Sequence, residues 1–384
     1  MLMNLKLKSV KVEDILSHNI DFKINNLEIE HPFSLLIGDN AQGKTRFIRF
    51  LMYIASLTGN SPRIIGTNCK ATFTFKIEND DNNLLTYEID ITNENGKNTY
   101  KENITKNNKP IYSSSDKMLI NEKTGNFVGP IFISSHTPVI STIDNSPDYS
   151  SISSINSFFS RIVCISSEKR NEIQLEPNQI RPNENGTNIS NVLLTWKNQY
   201  PHLFNETILE FKRCFDFIDD INFSHLIINN LNAEIIFEKE KEISKQINLN
   251  EWSNGMYRIL HLLMLPNIPF KNNDETLKPS LIIVDEIENG LDYKRLEFII
   301  EFLKNYSDDM QIIIASHSPL VCDFIHPKNW IVIKRKGSTL HFNSPSKIEE
   351  NLEEDLELFK RNHWDFYSRH INNSDDYNVD ENNE

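Results

Sequence analysis

The run Phe33-Ser34-Leu35-Leu36-Ile37-Gly38-Asp39-Asn40-Ala41-Gln42-Gly43-Lys44-Thr45 decides how the chain folds. Its first five residues are an apolar strand, the next eight spell GxxxxGK[ST], and helical spacing follows from about Lys44 to Leu57. A strand that hands a glycine loop to a helix start is built to grip phosphate. Backbone N–H groups must come close to the oxygens, so Gly38 and Gly43 carry no side chain, and the helix dipole favours the anion. Asp39, Asn40, Ala41 and Gln42 complete the loop. In this arrangement Lys44 neutralises the β- and γ-phosphates and the Thr45 hydroxyl ligates Mg²⁺.

Working outward, residues 1–37 alternate as strands, and 70–77 and 84–92 alternate at period two around the polar break Asn79 to Asn83, which predicts an antiparallel meander. The Asn-, Lys- and Ser-rich stretch 93–126 reads as an exposed excursion. Residues 190–218 place apolar side chains at helical spacing, interrupted by Pro201 and without sustained heptads, so they predict a helical insertion and no long coiled coil. From about residue 250 the order is helix (253–265), strand (281–284), helix (293–305) and strand (311–315), which implies a parallel sheet with right-handed crossovers. The expected class is α/β, with a nucleotide-binding lobe and meander over 1–150 and a helical insertion over 151–249. A second lobe follows over 250–345, then an acidic helix and disordered tail over 346–384.

Three further motifs carry chemistry. Leu281-Ile282-Ile283-Val284-Asp285-Glu286 is a buried strand ending in two carboxylates, and ligands gather at the carboxyl ends of such strands. Asp285 is the Mg²⁺ holder and Glu286 the general base for the attacking water. Ser253-Asn254-Gly255, before an apolar helix, offers a hydroxyl and a glycine N–H as a second phosphate cradle, although Ser is also an ordinary helix cap. Ile312-Ile313-Ile314-Ala315-Ser316-His317 delivers a histidine that can donate a hydrogen bond to the γ-phosphate. Ile131 to Val139 has nearly the same spelling, which makes His136 the second choice; chain order favours His317.

The net charge of −14 opposes a surface devoted to polyanions, which leaves only a local basic groove for nucleic acid. Lys334, Arg335 and Lys336 form the one compact basic cluster, and its bland reading is a solvated turn. Cys69, Cys164, Cys214 and Cys322 are scattered without a CxxC pair, against a zinc site or disulfide framework. With 39% hydrophobic residues there is material for a packed core, yet no run of about 18 apolar residues reads as a membrane span, and neither a span nor a signal peptide is expected. A cytoplasmic location is expected.

The set GDNAQGKT, WSNG, LIIVDEIENGLD and IIIASHSP, in that order, resembles the ABC-type ATPases of the RecF, SMC and OLD group, particularly RecF-like ATPases of phage-defence systems. The resemblance covers roughly 1–90 and 250–340. It implies ATP and Mg²⁺ as ligands and a homodimer or higher oligomer. Ser253, Asn254 and Gly255 would then reach the nucleotide of the opposite subunit, Asp292 would face the partner, and His317 would be the histidine switch. Trp252 stands where such signatures usually have Leu, and Leu291-Asp292-Tyr293 replaces a usual Leu-His-Pro. Gln174 and Gln179 are candidates for the Q-loop glutamine. About forty residues follow Asn343, too few for the Toprim nuclease of OLD proteins, so a nuclease or other effector is expected on a separate chain. The implied function is a nucleotide-driven switch controlling that effector, in antiviral defence. The alternatives are an ATP-locked scaffold that sequesters an effector and a DNA-repair ATPase like RecF.

Overall fold

The structure is a computed structural model that describes residues 2–17, 22–58, 67–78, 80–128, 134–143, 147–166, 180–182, 188–228, 231–241, 246–248, 252–272 and 275–343. The chain divides into two compact units, residues 1–162 with 315–384, and residues 163–314. The acidic helix and tail expected over 346–384 lie outside the described residues.

The first unit begins with β1 (Leu5–Ser17), β2 (Lys23–Glu28) and the fully buried β3 (Phe33–Ile37), which runs through the glycine loop into α1 (Lys44–Ser56). The meander follows as β4 (Thr67–Ile77), β5 (Asp80–Glu94), β6 (Lys97–Lys106), β7 (Lys109–Ser113) and β8 (Met118–Leu119), then α2 (Val139–Thr142) and α3 (Ser150–Ser160). Next, β9 (Ile162–Ile165) leads into the second unit. That unit holds α4 (Ile189–Gln199), α5 (Pro201–Cys214), β10 (Ile218–Ile228), β11 (Leu231–Glu240), β12 (Gln246–Asn248) and α6 (Asn254–Met264). It continues through β13 (Phe270–Asn272), β14 (Glu275–Leu277), β15 (Leu281–Asp285), α7 (Tyr293–Lys304) and β16 (Gln311–Ser316). The chain then returns to the first unit for α8 (Pro319–Cys322), β17 (Trp330–Lys336) and β18 (Thr339–Asn343).

In the first unit the strand order is β8-β7-β6-β5-β4-β1-β2-β18-β17-β3. Pairing is antiparallel from β8 to β2 and parallel where β18 meets β2 and β17 meets β3, with Trp330, Ile331 and Val332 opposite Leu35, Leu36 and Ile37. This is the α/β class with an antiparallel lobe read from the sequence, and no long coiled coil occurs among the described residues. No described helix is long and apolar enough to cross a membrane.

The period-two pattern of β4 and β5 turns Phe73, Phe75 and Tyr87 to one face, where Phe158 and Phe159 of α3 meet them. Ring centroids are 5.3 Å apart for Phe73–Phe159 and 5.0 Å for Phe75–Phe158, both edge to face. Burying each such ring contributes about 1.5–3 kcal/mol, enough for this cluster to fix α3 on the meander.

Two expectations are corrected. The stretch 93–126 is not an exposed excursion: it contains β6, β7 and β8. The inner face of β6 is partly polar, with Asn98 and Glu102 buried in line with Tyr100 and Ile104, which hides the alternation from a hydrophobicity reading. Glu102 accepts hydrogen bonds from the Tyr87 hydroxyl and the Val139 N–H, both at 2.7 Å, and burial pushes its carboxyl up to about 7. The insertion over 151–249 is not purely helical either. Beyond α3, α4 and α5, with Pro201 at the first position of α5, it holds the three-stranded antiparallel sheet β10-β11-β12.

Candidate functional site

The glycine loop is shaped by close approaches. A Cβ added at Gly38 would lie 2.6 Å from the Ile333 carbonyl oxygen, and one at Gly43 would lie 2.6 Å from a Leu340 methyl. Gly43 has φ +106° and Ala41 φ +66°, so the loop turns twice through the left-handed region before α1 starts. Lys44 is buried beneath it, and its Nζ donates to the Gly38 carbonyl and, at 3.0 Å, to that of Asp39. Asp39, Asn40, Ala41 and Thr45 are exposed.

The hairpin β17–β18 braces this loop. Ile333 and Leu340 supply the close contacts, Phe342 meets Phe47 of α1 at 5.5 Å, and the Arg335 N–H donates to Gln42 Oε1 at 2.7 Å. The basic cluster is therefore more than a solvated turn: its side chains reach outward, but its backbone is joined to the loop. His317 belongs to this same unit and is exposed just past the buried strand β16, where Ser318 caps α8. His136 is engaged elsewhere, its Nδ1 bonding the Asn98 carbonyl at 2.9 Å.

The other candidates belong to the second unit. Strand β15 is buried throughout and ends at Asp285, which is 4% exposed. Glu286 follows with φ +48°, a left-handed conformation that costs a non-glycine residue on the order of 1–3 kcal/mol and persists only where the surroundings impose it. The turn closes with Asn289 N–H donating to the Glu286 carbonyl at 3.0 Å, and Asp292 then caps α7 through the Arg295 N–H at 3.0 Å. Ser253 caps α6, accepting from the Met256 N–H at 3.2 Å. Ser253, Asn254 and Asp292 are exposed. Gly255 lies against the turn that follows β15, since a Cβ there would sit 2.6 Å from the Gly290 carbonyl oxygen.

Trp252 is 4% exposed and stacks on Phe211 of α5 at 5.2 Å and 12°. An aromatic ring stands at this position because the insertion supplies another for it to lie on. Phe211 continues to Phe215 at 4.9 Å, and the Arg295 guanidinium lies 5.4 Å from that ring while pairing with Asp292. Gln174 and Gln179 lie outside the described residues.

Among the described residues no three His, Cys, Asp or Glu side chains gather as a metal cage. Magnesium needs none: it is commonly held by one or two carboxylates with waters and substrate phosphates. Asp285 offers a carboxylate and Thr45 a hydroxyl, each a hard oxygen donor of the kind that ion takes, and the glycine cradle with its buried ammonium fits a polyphosphate.

The sequence reading missed Arg258, whose guanidinium bonds the carbonyls of Asp285 and Ser166. The signal was there: a single arginine within the apolar run Tyr257 to Met264. It also missed Ile333 and Leu340, which no local pattern connects to the loop.

A family model described as "AAA domain, putative AbiEii toxin, Type IV TA system" matches residues 33–323. No curated protein matches the chain. Among solved structures, an SMC head bound to the C-winged helix domain of ScpA is similar at 11% identity and TM-score 0.50, covering 89% of this chain and 99% of that one. The SMC head domain from Thermotoga maritima is similar at 13% identity and TM-score 0.43, covering 88% and 98%. The first of these likenesses supports an SMC-head-like ABC ATPase fold.

Proposed function

The chain belongs to the AbiEii-type AAA-domain family, and from that premise we propose that it is a Mg²⁺-dependent ATPase whose active site is completed by a second copy of itself. Lys44 offsets the phosphate charge, Thr45 and Asp285 hold the metal, and Glu286 takes a proton from the attacking water. His317 donates a hydrogen bond to the γ-phosphate. Ser253, Asn254 and Gly255 serve the opposite subunit's nucleotide, and Asp292 faces that subunit. Two-fold symmetry makes two equivalent sites. The output is a switch acting on a separate effector protein, in antiviral defence.

The observation that carries the shared site is the contrast along α6. Its body is buried from Ile259 to Met264, yet its first turn presents Ser253 and Asn254 outward. That exposure leaves the Ser253 hydroxyl and the start of α6 within reach of a nucleotide held by another chain.

The test mixes two defective variants. Lys44→Ala should lose ATP binding; Ser253→Arg should bind ATP without turning it over, because a bulky cation fills the space meant for the other subunit's γ-phosphate. In a mixed dimer one composite site carries both defects and the other neither. Recovery of activity on mixing is the expected result. Inactive mixtures in which heterodimers are demonstrated by mass would refute the shared site.

A further inference from the structure

Helix α6 does more than present Ser253. Five residues beyond that cap it carries Arg258, whose guanidinium Nη2 donates to the Asp285 carbonyl at 3.0 Å and reaches the Glu286 carbonyl at 3.5 Å. Its Nη1 donates to the Ser166 carbonyl at 3.1 Å, just past β9. The same helix touches the far end of this turn through Gly255 and the Gly290 carbonyl. The segment from Asp285 to Gly290 is thus bonded to this helix at one end and lies against it at the other, and it contains Glu286 in its left-handed conformation.

Burial pushes the Arg258 guanidinium down to about 10, a cost offset by the carboxylates of Asp285, Glu286 and Glu288 and by Cys164 around it. Arg258 is half-buried, and drawing a cation partly out of water carries a cost that its bonds to backbone carbonyls offset. An apolar side chain would fit the buried face of α6 more cheaply, so packing alone does not explain an arginine. Its planar fork spans carbonyls that belong to separate segments, which a lysine ammonium cannot do from one point.

We propose that Arg258 is a positioning residue for hydrolysis: by bonding the backbone carbonyls of Asp285 and Glu286 it ties the Glu286 carboxylate to helix α6, so that contact of another subunit's nucleotide with Ser253 is felt at the catalytic base. The proposal rests on the ATPase reading above and adds to it a route by which assembly controls turnover. Arg258 is given no direct contact with nucleotide or water in this proposal. It acts through the peptide units on either side of Glu286, where a small rotation moves the carboxylate off the line of attack.

The experiment compares parent, Arg258→Lys, Glu286→Gln and the double variant with saturating MgATP. It measures ATP affinity, single-turnover hydrolysis and amide hydrogen exchange across residues 285–291. Arg258→Lys should bind ATP within about two-fold of the parent, because Lys44 and the glycine loop belong to the other unit. Its hydrolysis should fall about 10- to 100-fold, the range for losing a group that orients another functional residue. Exchange should rise within 285–291, and the double variant should be no slower than Glu286→Gln alone, since residues that act as one unit are non-additive. If Arg258→Lys fails to fold, Arg258→Gln, which keeps one amide donor without the charge, takes its place in the same comparison.

Unchanged exchange across the turn overturns the tether. Raised exchange with parental turnover overturns the positioning role, as does a double variant slowed by the product of the two single effects. A Glu286→Gln protein that hydrolyses at parental rate would instead refute the assignment of the base, while exchange would still decide whether Arg258 holds the turn.

Discussion

Two helix starts in this molecule have the chemistry to meet phosphate, and they are built in opposite ways. Helix α1 opens on Gly43 at φ +106° with no side-chain cap, over a buried lysine and under a hairpin that fills the space behind both glycines. Helix α6 opens on Ser253, an extended residue that caps its own helix and stands in solvent. The first start draws its shape from distant parts of its unit, so its grip is preorganised. The second satisfies its own cap in the isolated chain, the Ser253 oxygen accepting from the Met256 N–H, and it is the hydroxyl's O–H that donates to a phosphate. That is a difference between a seat and a latch, and it is the difference that the proposed shared site calls for.

The most severe way to break this contrast is Lys44→Ala. Losing a charge-assisted contact of about 3 kcal/mol predicts ATP affinity weakened at least 100-fold, with a thermal midpoint that no longer rises with MgATP; calorimetry and thermal unfolding read both. Gly43→Ala comes next. The strain of a left-handed alanine and the contact with Leu340 should destabilise the first unit by about 1–3 kcal/mol and weaken ATP binding with it, so a variant that matches the parent in both would show the brace to be loose. The gentlest is Ser253→Ala, which removes the cap and should cost about 1 kcal/mol in stability while ATP affinity stays at the parental value and turnover falls. Equal losses of affinity from Gly43→Ala and Ser253→Ala would erase the distinction between the two starts.

What could be read directly from the sequence was contiguous. The strand-loop-helix run 33–57 and the meander strands 70–77 and 84–92 appear where periodicity and glycine spacing put them, because burial there is one-sided and apolar. Strands β6 to β8 were illegible because Asn98, Glu102 and Ser113 take core positions that a hydrophobic pattern cannot mark. The twin histidines show the same limit. Ile131 to Val139 and Ile312 to Leu320 are spelled almost alike, yet His136 ends up bonded to Asn98 whereas His317 stands exposed in the unit that holds the glycine loop. Arg258 and the hairpin behind the loop were missed because their partners are backbone atoms remote in sequence, and composition carries no trace of a carbonyl.

The hairpin behind the loop also sets an order of events in the life of the chain. Arg335 and Gln42 are 293 residues apart, and β3 has β17 for a parallel neighbour, so the motif near the beginning finds its support only near residue 343. At about 5–20 residues per second of synthesis, some 15 to 60 s separate the two on the ribosome. Long-range pairing of this kind has a high loop-closure cost and forms slowly. Throughout that interval the nascent chain carries the complete phosphate motif but not the packing that shapes it. Nucleotide therefore meets a braced loop only in a chain that has been made through β17 and β18.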